Sequence, residues 1–310
     1  MELSASPFTV RVPATSANLG PGFDALGLAL DLVNTVRVEP CDRVEVVVEG
    51  EGSGELAAGE ANLVYQALAR GAAHLGAPPP PVRLRCTNAI PLARGLGSSS
   101  AAIVAGLLAA NELHGRALAA ADLLALAVAL EGHPDNVTPA LLGGVRVCVQ
   151  GQCGLVQAPI PLARPLRAVL FVPDFPMATA EARGLLSATV PRADAIYNLG
   201  RTALLAAALA GGDYSLLAEA TRDRLHQPAR AALFPAMPSF FDAALEAGAL
   251  GAFLSGAGST LLALVEAAGS GSADPARAVI DAFASTARQE GVRGRTLVAA
   301  ISQEGAHVVA

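Results

Sequence analysis

Between Pro91 and Gly115 the chain reads PLARGLGSSSAAIVAGLLAANELHG, a Gly–Ser turn that runs straight into an apolar stretch. The pattern predicts a buried helix from about Ser99 to His114, with Gly115 well placed as its C′ residue. Gly95 and Gly97 let the backbone approach a ligand closely, Ser98, Ser99 and Ser100 supply hydroxyls, and the helix aims its unpaired N–H groups at the loop. A turn that merely caps a core helix has the same look, but one cap needs one hydroxyl. The surplus serines favour a phosphate at this place, with Mg²⁺ ligation as a second use for them.

All 21 basic residues are Arg; the sequence contains no Lys. A phosphate loop of the GxxxxGK[ST] type, a protein-kinase fold and a pyridoxal Schiff base each need a lysine, so all are excluded. At 310 residues, 53% hydrophobic and 15% charged, the chain has material for one large domain or two medium ones. With no Trp, three Tyr, nine Phe and a net charge of −6, it lacks the interleaved aromatic and basic residues that track nucleic acid. Cys41, Cys86, Cys148 and Cys153 have neither CxxC spacing nor His partners, and are expected to be reduced, buried and structural. The start MELSASPFTVRVPATS lacks the regions of a signal peptide, and Ala-rich runs such as Leu204 to Ala210 are too short to cross a bilayer. The expected location is the cytoplasm, away from membranes.

Runs at Phe8 to Val12, Val33 to Glu39, Arg43 to Glu49 and Val82 to Thr87 predict strands. Asn62 reads as the N-cap of a helix that Pro78 to Pro81 stops, giving one strand–helix–strand passage. A further helix is predicted from about Leu118 to Glu131, which sets the Glu131 carboxylate against the negative end of the helix dipole and calls for a cation nearby. The Pro-rich segment QAPIPLARP, Gln157 to Pro165, marks a domain boundary, dividing residues 1–160 from 161–310. Beyond it come a strand at Arg167 to Val172, helical patterns up to Gly248, and a strand pair between Leu250 and Val265 broken by SGAGS. A helix capped by Asp274 with Pro275 at N1 and a strand at Thr296 to Ile301 complete the order, which predicts an α+β protein of two apposed domains.

Four more segments carry polar groups in suggestive settings. PATSANLGPGFDALG, Pro13 to Gly27, reads as a Gly-rich loop after a strand, with Asn18 and Asp24 fit to grip an ammonium or hydroxyl group. EGHPDNVTPALLGG, Glu131 to Gly144, puts a carboxylate, an imidazole and an Asp–Asn pair just past a helix end. A capping turn with solvated charges is the simpler reading; a divalent cation between Glu131 and Ser98 would instead relieve the carboxylate of its conflict with the helix terminus. TAEAR places Thr179 and Arg183 on one helix face, and RDRLHQPAR brings Arg230 just after a proline. GAFLSGAGSTLLAL, Gly251 to Leu264, is a strand, a tight turn and a strand, explained equally by close packing or by a place at a pocket.

In this order the segments resemble the motifs of the GHMP kinases, the superfamily of galactokinase, homoserine kinase, mevalonate kinase and phosphomevalonate kinase, which bind ATP without a phosphate-loop lysine. Pro13 to Gly27 is most similar to the first motif of the homoserine kinase family. The resemblance implies a two-domain GHMP kinase fold, with an N-terminal ATP-binding part that is ribosomal protein S5 domain 2-like and a ferredoxin-like C-terminal part. It implies transfer of the ATP γ-phosphate to the side-chain hydroxyl of L-homoserine, a step of threonine biosynthesis, with Mg²⁺ as cofactor and a homodimer as the assembly. ATP would lie along Pro91, Leu92, Ala93, Arg94, Gly95, Leu96, Gly97, Ser98, Ser99, Ser100 and Ala101, with Asn62 near the adenine. Ser98 and Glu131 would hold the metal. Homoserine would meet Asn18, Asp24, His133, Asn136, Arg183, Arg230 and Gly256, with Asp24 at its α-amino group and the two arginines on its α-carboxylate. Thr179 would lie beside the reacting hydroxyl. Asn136 stands where mevalonate kinase-like members carry an Asp, which leaves open whether Asn136, Thr179 or no protein group takes the proton. Two other readings share these motifs: a relative acting on shikimate or mevalonate, which would leave Asp24 unpaired, and a nucleotide-binding regulator without turnover.

Overall fold

The computed structural model describes residues 6–152, 154–267 and 274–309. In chain order its first elements are β1 (Phe8–Ala17), β2 (Leu26–Pro40), β3 (Glu45–Gly50), α1 (Leu63–His74), β4 (Val82–Asn88), α2 (Ser98–Leu113), α3 (Ala120–Glu131), α4 (Pro134–Leu142), β5 (Val145–Gly151) and β6 (Gly154–Ile160). Then come β7 (Leu166–Pro173), α5 (Thr179–Gly184), α6 (Arg192–Gly211), α7 (Leu217–Ala220), α8 (Gln227–Arg230), α9 (Met237–Glu246), β8 (Gly251–Leu254), β9 (Leu261–Glu266), α10 (Pro275–Gln289), β10 (Gly294–Ala300) and β11 (His307–Val309).

A seven-stranded sheet runs β11–β1–β2–β4–β3, and the long β2 gives its first residues, Leu26 to Leu28, to β5, which in turn pairs β6. Only the β3–β4 pair is parallel among the described ladders, as a strand–helix–strand passage through α1 requires. Asn62 caps α1, its side-chain oxygen accepting from Val64 N–H at 2.9 Å. The apolar α2 is buried along most of its length, Ile103, Val104, Leu107, Ala109 and Ala110 all being inside. Gly106 lets α1 close on it, since a Cβ there would stand 2.2 Å from the Val64 carbonyl oxygen.

The second sheet, β10–β7–β9–β8, is antiparallel throughout, and its strands β7, β9 and β8 are buried on both faces while β10 is a partly exposed edge. Alternation along β7 sends Leu166, Ala168, Leu170 and Val172 into one core, shared with the first sheet, and Val169 and Phe171 into another. That second core holds Phe171, Phe234, Phe240 and Phe283 with ring centroids 4.6 to 6.0 Å apart. Truncating the fully buried Phe240 to Ala would cost about 3–5 kcal/mol.

Where the fold departs from expectation, local chemistry explains it. Strand β1 runs on to Ala17, and β2 begins at Leu26 rather than Val33, so both ends of the first Gly-rich motif are ladder and only residues 18–25 are loop. Pro13 reads as a stop in the sequence, yet the ladder absorbs it at a register shift between Pro13 and Ala14. The segment after Glu131 is helical from Pro134, which sits at the first helical position where its missing N–H costs nothing. Strands β5 and β6 were not expected, although valines alternate at 145, 147 and 149; they form a hairpin that leaves Val149 and Val156 exposed. The ladder reaches Ile160, so the Pro-rich segment Gln157 to Pro165 begins as strand, and β11 returns from the chain's far end to β1. Cys86 and Cys148 are free and buried, and burial pushes their thiols up to about 12 and about 11; Cys41 is free and half-buried, and Cys153 lies outside the described residues.

Candidate active site

The loop from Pro91 to Gly97 joins β4 to α2 and is fixed at its entry, where the N–H groups of Ala89 and Ile90 donate to Asn34 Oδ1 at 2.8 and 2.9 Å. Ala93, Gly95 and Gly97 all take left-handed backbone conformations, with φ of 50°, 73° and 70°. Strain at the alanine marks a turn held by its surroundings. A Cβ on Gly97 would stand 2.0 Å from Thr15 Oγ1, and one on Gly95 would stand 2.1 Å from the Ser255 carbonyl oxygen. The loop is thus wedged between β1 and the turn after β8. Gly97 is the N-cap of α2 and has no side chain to close the first turn, so the N–H groups of Ser98, Ser99 and Ser100 keep no acceptor within the helix.

Glu131, the last residue of α3, meets that turn. Its Oε1 accepts from Ser99 Oγ at 2.8 Å and from Ser100 Oγ at 2.7 Å, and His133 Nε2 lies 4.0 Å away. These groups, rather than a guanidinium, answer the charge at the helix end. The serine hydroxyls on the carboxylate are those of Ser99 and Ser100, while Ser98, named with Glu131 as the metal pair, lines the cavity beside them. His133 Nδ1 donates to Asp135 Oδ1 at 2.7 Å. Burial works to lower the His133 pKa, but the Asp135 hydrogen bond and the nearby carboxylates outweigh it and hold the imidazole above its ordinary value.

A cavity of ≈ 820 Å³ opens in front of these residues. At one end it is walled by Val36, Val48, Leu56, Leu63, Val64 and Ala105, with Asn62 on the rim. At the other it is polar: Asn18, Asp24, His133, Asn136, Thr179, Arg183, Arg230 and Gly256 all line it. The loop residues Leu92 to Ser99, together with Ala101, line it between the two ends; Pro91 and Ser100 stand behind that wall. Arg94 borders the cavity, yet its side chain donates to the carbonyls of Pro173 at 2.8 Å and Leu92 at 2.9 Å and so ties the loop to the end of β7.

At the polar end Asn18 and Asp24 adopt φ of 69° and 55°, held there because Asn18 donates to the Gly256 carbonyl at 2.9 Å and accepts from Asp24 N–H at 3.0 Å. Asp24 is gripped by both Arg183 nitrogens, at 3.0 and 2.6 Å, and this hydrogen-bonded pair raises the Arg183 pKa. The expectation set both arginines on a ligand carboxylate; here one of them reaches Asp24 directly. Arg230 is 1% exposed, and among the described residues no carboxylate lies within 4.0 Å of it. Its hydrogen bonds go to neutral acceptors, His226 Nδ1 at 2.9 Å and the Gly256 carbonyl at 2.8 Å, and its Nε has no partner. Burial and the neighbouring Arg183 pull its pKa down to about 10. A buried cation without a counter-ion is costly, which makes this end of the cavity a place for an anion.

Several residues of the site escaped the sequence reading. Thr15 donates to Asn136 Oδ1 at 2.8 Å, and Phe23 stands 5.5 Å beneath each of the two guanidinium groups. His226 and Asp223 are buried behind Arg230. The only sign of them was spacing, with His226 four residues before Arg230 on a helical path, and a lone His there reads as core.

Residues 62–144 match the family described as GHMP kinases N terminal domain, and residues 205–289 match GHMP kinases C terminal. A homoserine kinase of Desulfitobacterium hafniense is 43% identical over 300 residues, covering 97% of this chain and 99% of its own. The crystal structure of homoserine kinase from Cytophaga hutchinsonii superposes with a TM-score of 0.86 at 30% identity, covering 100% of this chain and 99% of that one. The L. major mevalonate kinase solved with R-mevalonate, at 17% identity and a TM-score of 0.71 over 95% of this chain and 96% of that one, shares the fold.

Proposed function

This chain belongs to the homoserine kinase family of the GHMP kinases, and from that premise we propose that it moves the γ-phosphate of ATP onto the side-chain hydroxyl of L-homoserine, giving O-phospho-L-homoserine. The observation that carries the reading is one cavity with an open helix start in its middle and the unpaired Arg230 at its polar end. The apolar end suits an adenine, with Asn62 on its rim, and the first-turn N–H groups of α2 suit the triphosphate.

The polar end suits a zwitterion. Without substrate, Asp24 and Arg183 satisfy one another. An α-amino acid brings an ammonium for Asp24 and a carboxylate for Arg183 and Arg230, exchanging one ion pair for two and giving Arg230 its counter-ion. Shikimate or mevalonate supplies only the carboxylate and leaves Asp24, whose side chain is 35% exposed, without a cation of its own.

Glu131 with the hydroxyls of Ser98 and Ser99, all lining the cavity, forms a hard-oxygen donor set with a single carboxylate, the kind that would hold Mg²⁺ together with substrate phosphates. When bound, Mg²⁺ neutralises charge on the phosphates. The protein's own part is positioning. Asn18, Asp24, Arg183 and Arg230 fix homoserine, and Thr179 borders the hydroxyl. Asn136 Oδ1 already accepts from Thr15, so its amide N–H is the group left to face the reactants, and an amide takes no proton. The homoserine oxygen forms its bond to the γ-phosphorus as the bond to the ADP oxygen breaks, and the hydroxyl proton leaves to the γ-phosphate or to water. We assign nucleotide binding to residues 1–160 and the remaining elements to a second part, 161–310, whose last strand reaches back to β1. Among the described residues no helix is long and apolar enough to cross a membrane, and we place the enzyme in the cytoplasm as a homodimer.

The test is ADP release from Mg-ATP with L-homoserine, L-serine, shikimate and mevalonate side by side. Turnover with homoserine alone is expected; equal turnover with shikimate or mevalonate would remove the role given to Asp24.

A further inference from the structure

His226 is fully buried and sits behind Arg230, one helical turn earlier. Its Nε2 lies 2.7 Å from the Gly20 carbonyl oxygen, which can only accept, so Nε2 carries the proton. Its Nδ1 lies 2.9 Å from Arg230 Nη1, which can only donate, so Nδ1 is bare. The partners therefore fix a neutral ring of one tautomer. A charged imidazolium would turn an N–H against the guanidinium.

The ring is itself held. Asp223, fully buried, accepts from the backbone N–H groups of Leu225 and His226 at 2.9 Å and of Gln227 at 2.7 Å, and from Asn198 Nδ2 at 2.7 Å. Asn198 and Thr202 of α6 also donate to the Pro21 carbonyl, each at 3.1 Å, and the Phe23 ring lies 5.3 Å from the imidazole. The loop that ends in Asp24 is thus anchored at Gly20 and Phe23 to the same short stretch that carries Arg230, and at Pro21 to α6, whose Asn198 also holds Asp223.

We propose that His226 is a positioning residue for the acceptor amino acid: one ring aims the Arg230 guanidinium into the cavity and, through Gly20, registers the loop bearing Asp24 against it. It touches neither substrate. The spacing between the cation that meets the carboxylate and the anion that meets the ammonium is set across this imidazole, so His226 determines how well an α-amino acid fits. The inference rests on the homoserine reading above.

Amide side chains separate the two bonds. In His226→Asn the amide oxygen stands where Nδ1 stood and still accepts from Arg230, while in His226→Gln the amide nitrogen stands where Nε2 stood and still donates to Gly20. His226→Gln is expected to raise the homoserine KM by about tenfold or more, with kcat and the ATP KM within about twofold, because binding remote from the reacting atoms is lost. His226→Asn, which loses the Gly20 bond, is expected to raise the homoserine KM by a smaller factor, about three- to fivefold, because the loop bearing Asp24 keeps its anchors at Pro21 and Phe23. Equal losses in the two variants, or parallel shifts in both substrates' constants, would overturn the proposal and leave a packing role. Histidine ¹⁵N NMR of the wild-type protein gives a check that needs no variant: a buried neutral ring protonated at Nε2 is expected, and an Nδ1–H or charged ring sinks the idea. Absence of any homoserine-dependent ADP release by wild type would strike the homoserine reading instead, and leaves the NMR outcome to decide the tautomer.

Discussion

At the apolar end of the cavity, which we assign to the nucleotide, the wall is backbone and apolar side chain, much of it from the single stretch Leu92 to Ala105; at the polar end, which we assign to the acceptor, it is charge, assembled from distant segments. Asp24 meets Arg183 across 159 residues of chain, and Asn18 meets Gly256 across 238. The first kind of site is made by where a helix starts, and it tolerates side-chain change as long as the backbone keeps its turn. The second is made by side chains whose partners lie in another part of the chain, and each one removed leaves a charge or a lone pair without its mate. Loss of function should therefore spread differently at the two ends.

The largest effect is expected at Arg230. Arg230→Met removes the only buried cation without a carboxylate near it among the described residues, and kcat/KM for homoserine should fall by about 2–5 kcal/mol, roughly 30- to 5,000-fold, while the ATP KM holds. Thermal stability should fall far less than activity, because no protein carboxylate is orphaned and a well-packed apolar side chain often replaces a buried charge without loss. A melting temperature that collapses with the activity would make Arg230 structural. Glu131→Ala comes next, at about 10²- to 10³-fold in kcat, with Ser98→Ala in the same range. Activity within about twofold of wild type in either would take the residue out of the phosphate end.

The same contrast decides what the sequence could disclose. The Gly–Ser turn and the helix behind it were legible because their logic is local: glycines at left-handed positions, surplus serines and an apolar helix follow one another along the chain. Asn62 and Asp274 were legible as caps for the same reason, and both accept from a first-turn N–H at 2.9 and 3.0 Å. The acceptor end was legible only as single residues. Nothing local says that Arg183 reaches Asp24 or that Phe23 lies under both arginines. Thr15 was hidden inside a strand mistaken for a loop, and His226 looked like any core histidine. The hydrogen bonds from Ser99 and Ser100 to Glu131 were not legible, because helical geometry rather than spacing alone turns those two hydroxyls toward α3.

A smaller effect tests the local end. Asn62→Ala removes the cap of α1 and should cost about 1 kcal/mol of stability, within roughly 0.5–2, measured by denaturant unfolding. Asn62 also donates to the Ala57 carbonyl at 2.8 Å and lies on the apolar rim, so a change in KM should fall on ATP and leave homoserine unmoved. A shift in the homoserine KM instead would mean that the two ends are not independent.

The smallest expected effect is in the pH dependence of stability, and it belongs to the acceptor end. Burial lowers the His226 pKa to about 4; Asp223 and Asp24 oppose that shift, and Arg230 adds to it. The unfolded chain takes up a proton at about pH 6.5 that the folded protein refuses until about pH 4, so this residue's contribution is full above the first value and is lost as pH falls toward the second. The slope it can supply is at most about 1.4 kcal/mol per pH unit. Unfolding free energy measured between about pH 6.5 and pH 5.5 should therefore change less favourably on acidification in wild type than in His226→Gln, which has nothing to protonate there; His133, held above its ordinary value, contributes the opposite slope to both proteins and cancels in the difference. An unchanged slope in the variant would mean that the ring accepts its second proton without cost, and a ring that does so could not be accepting a hydrogen bond from Arg230.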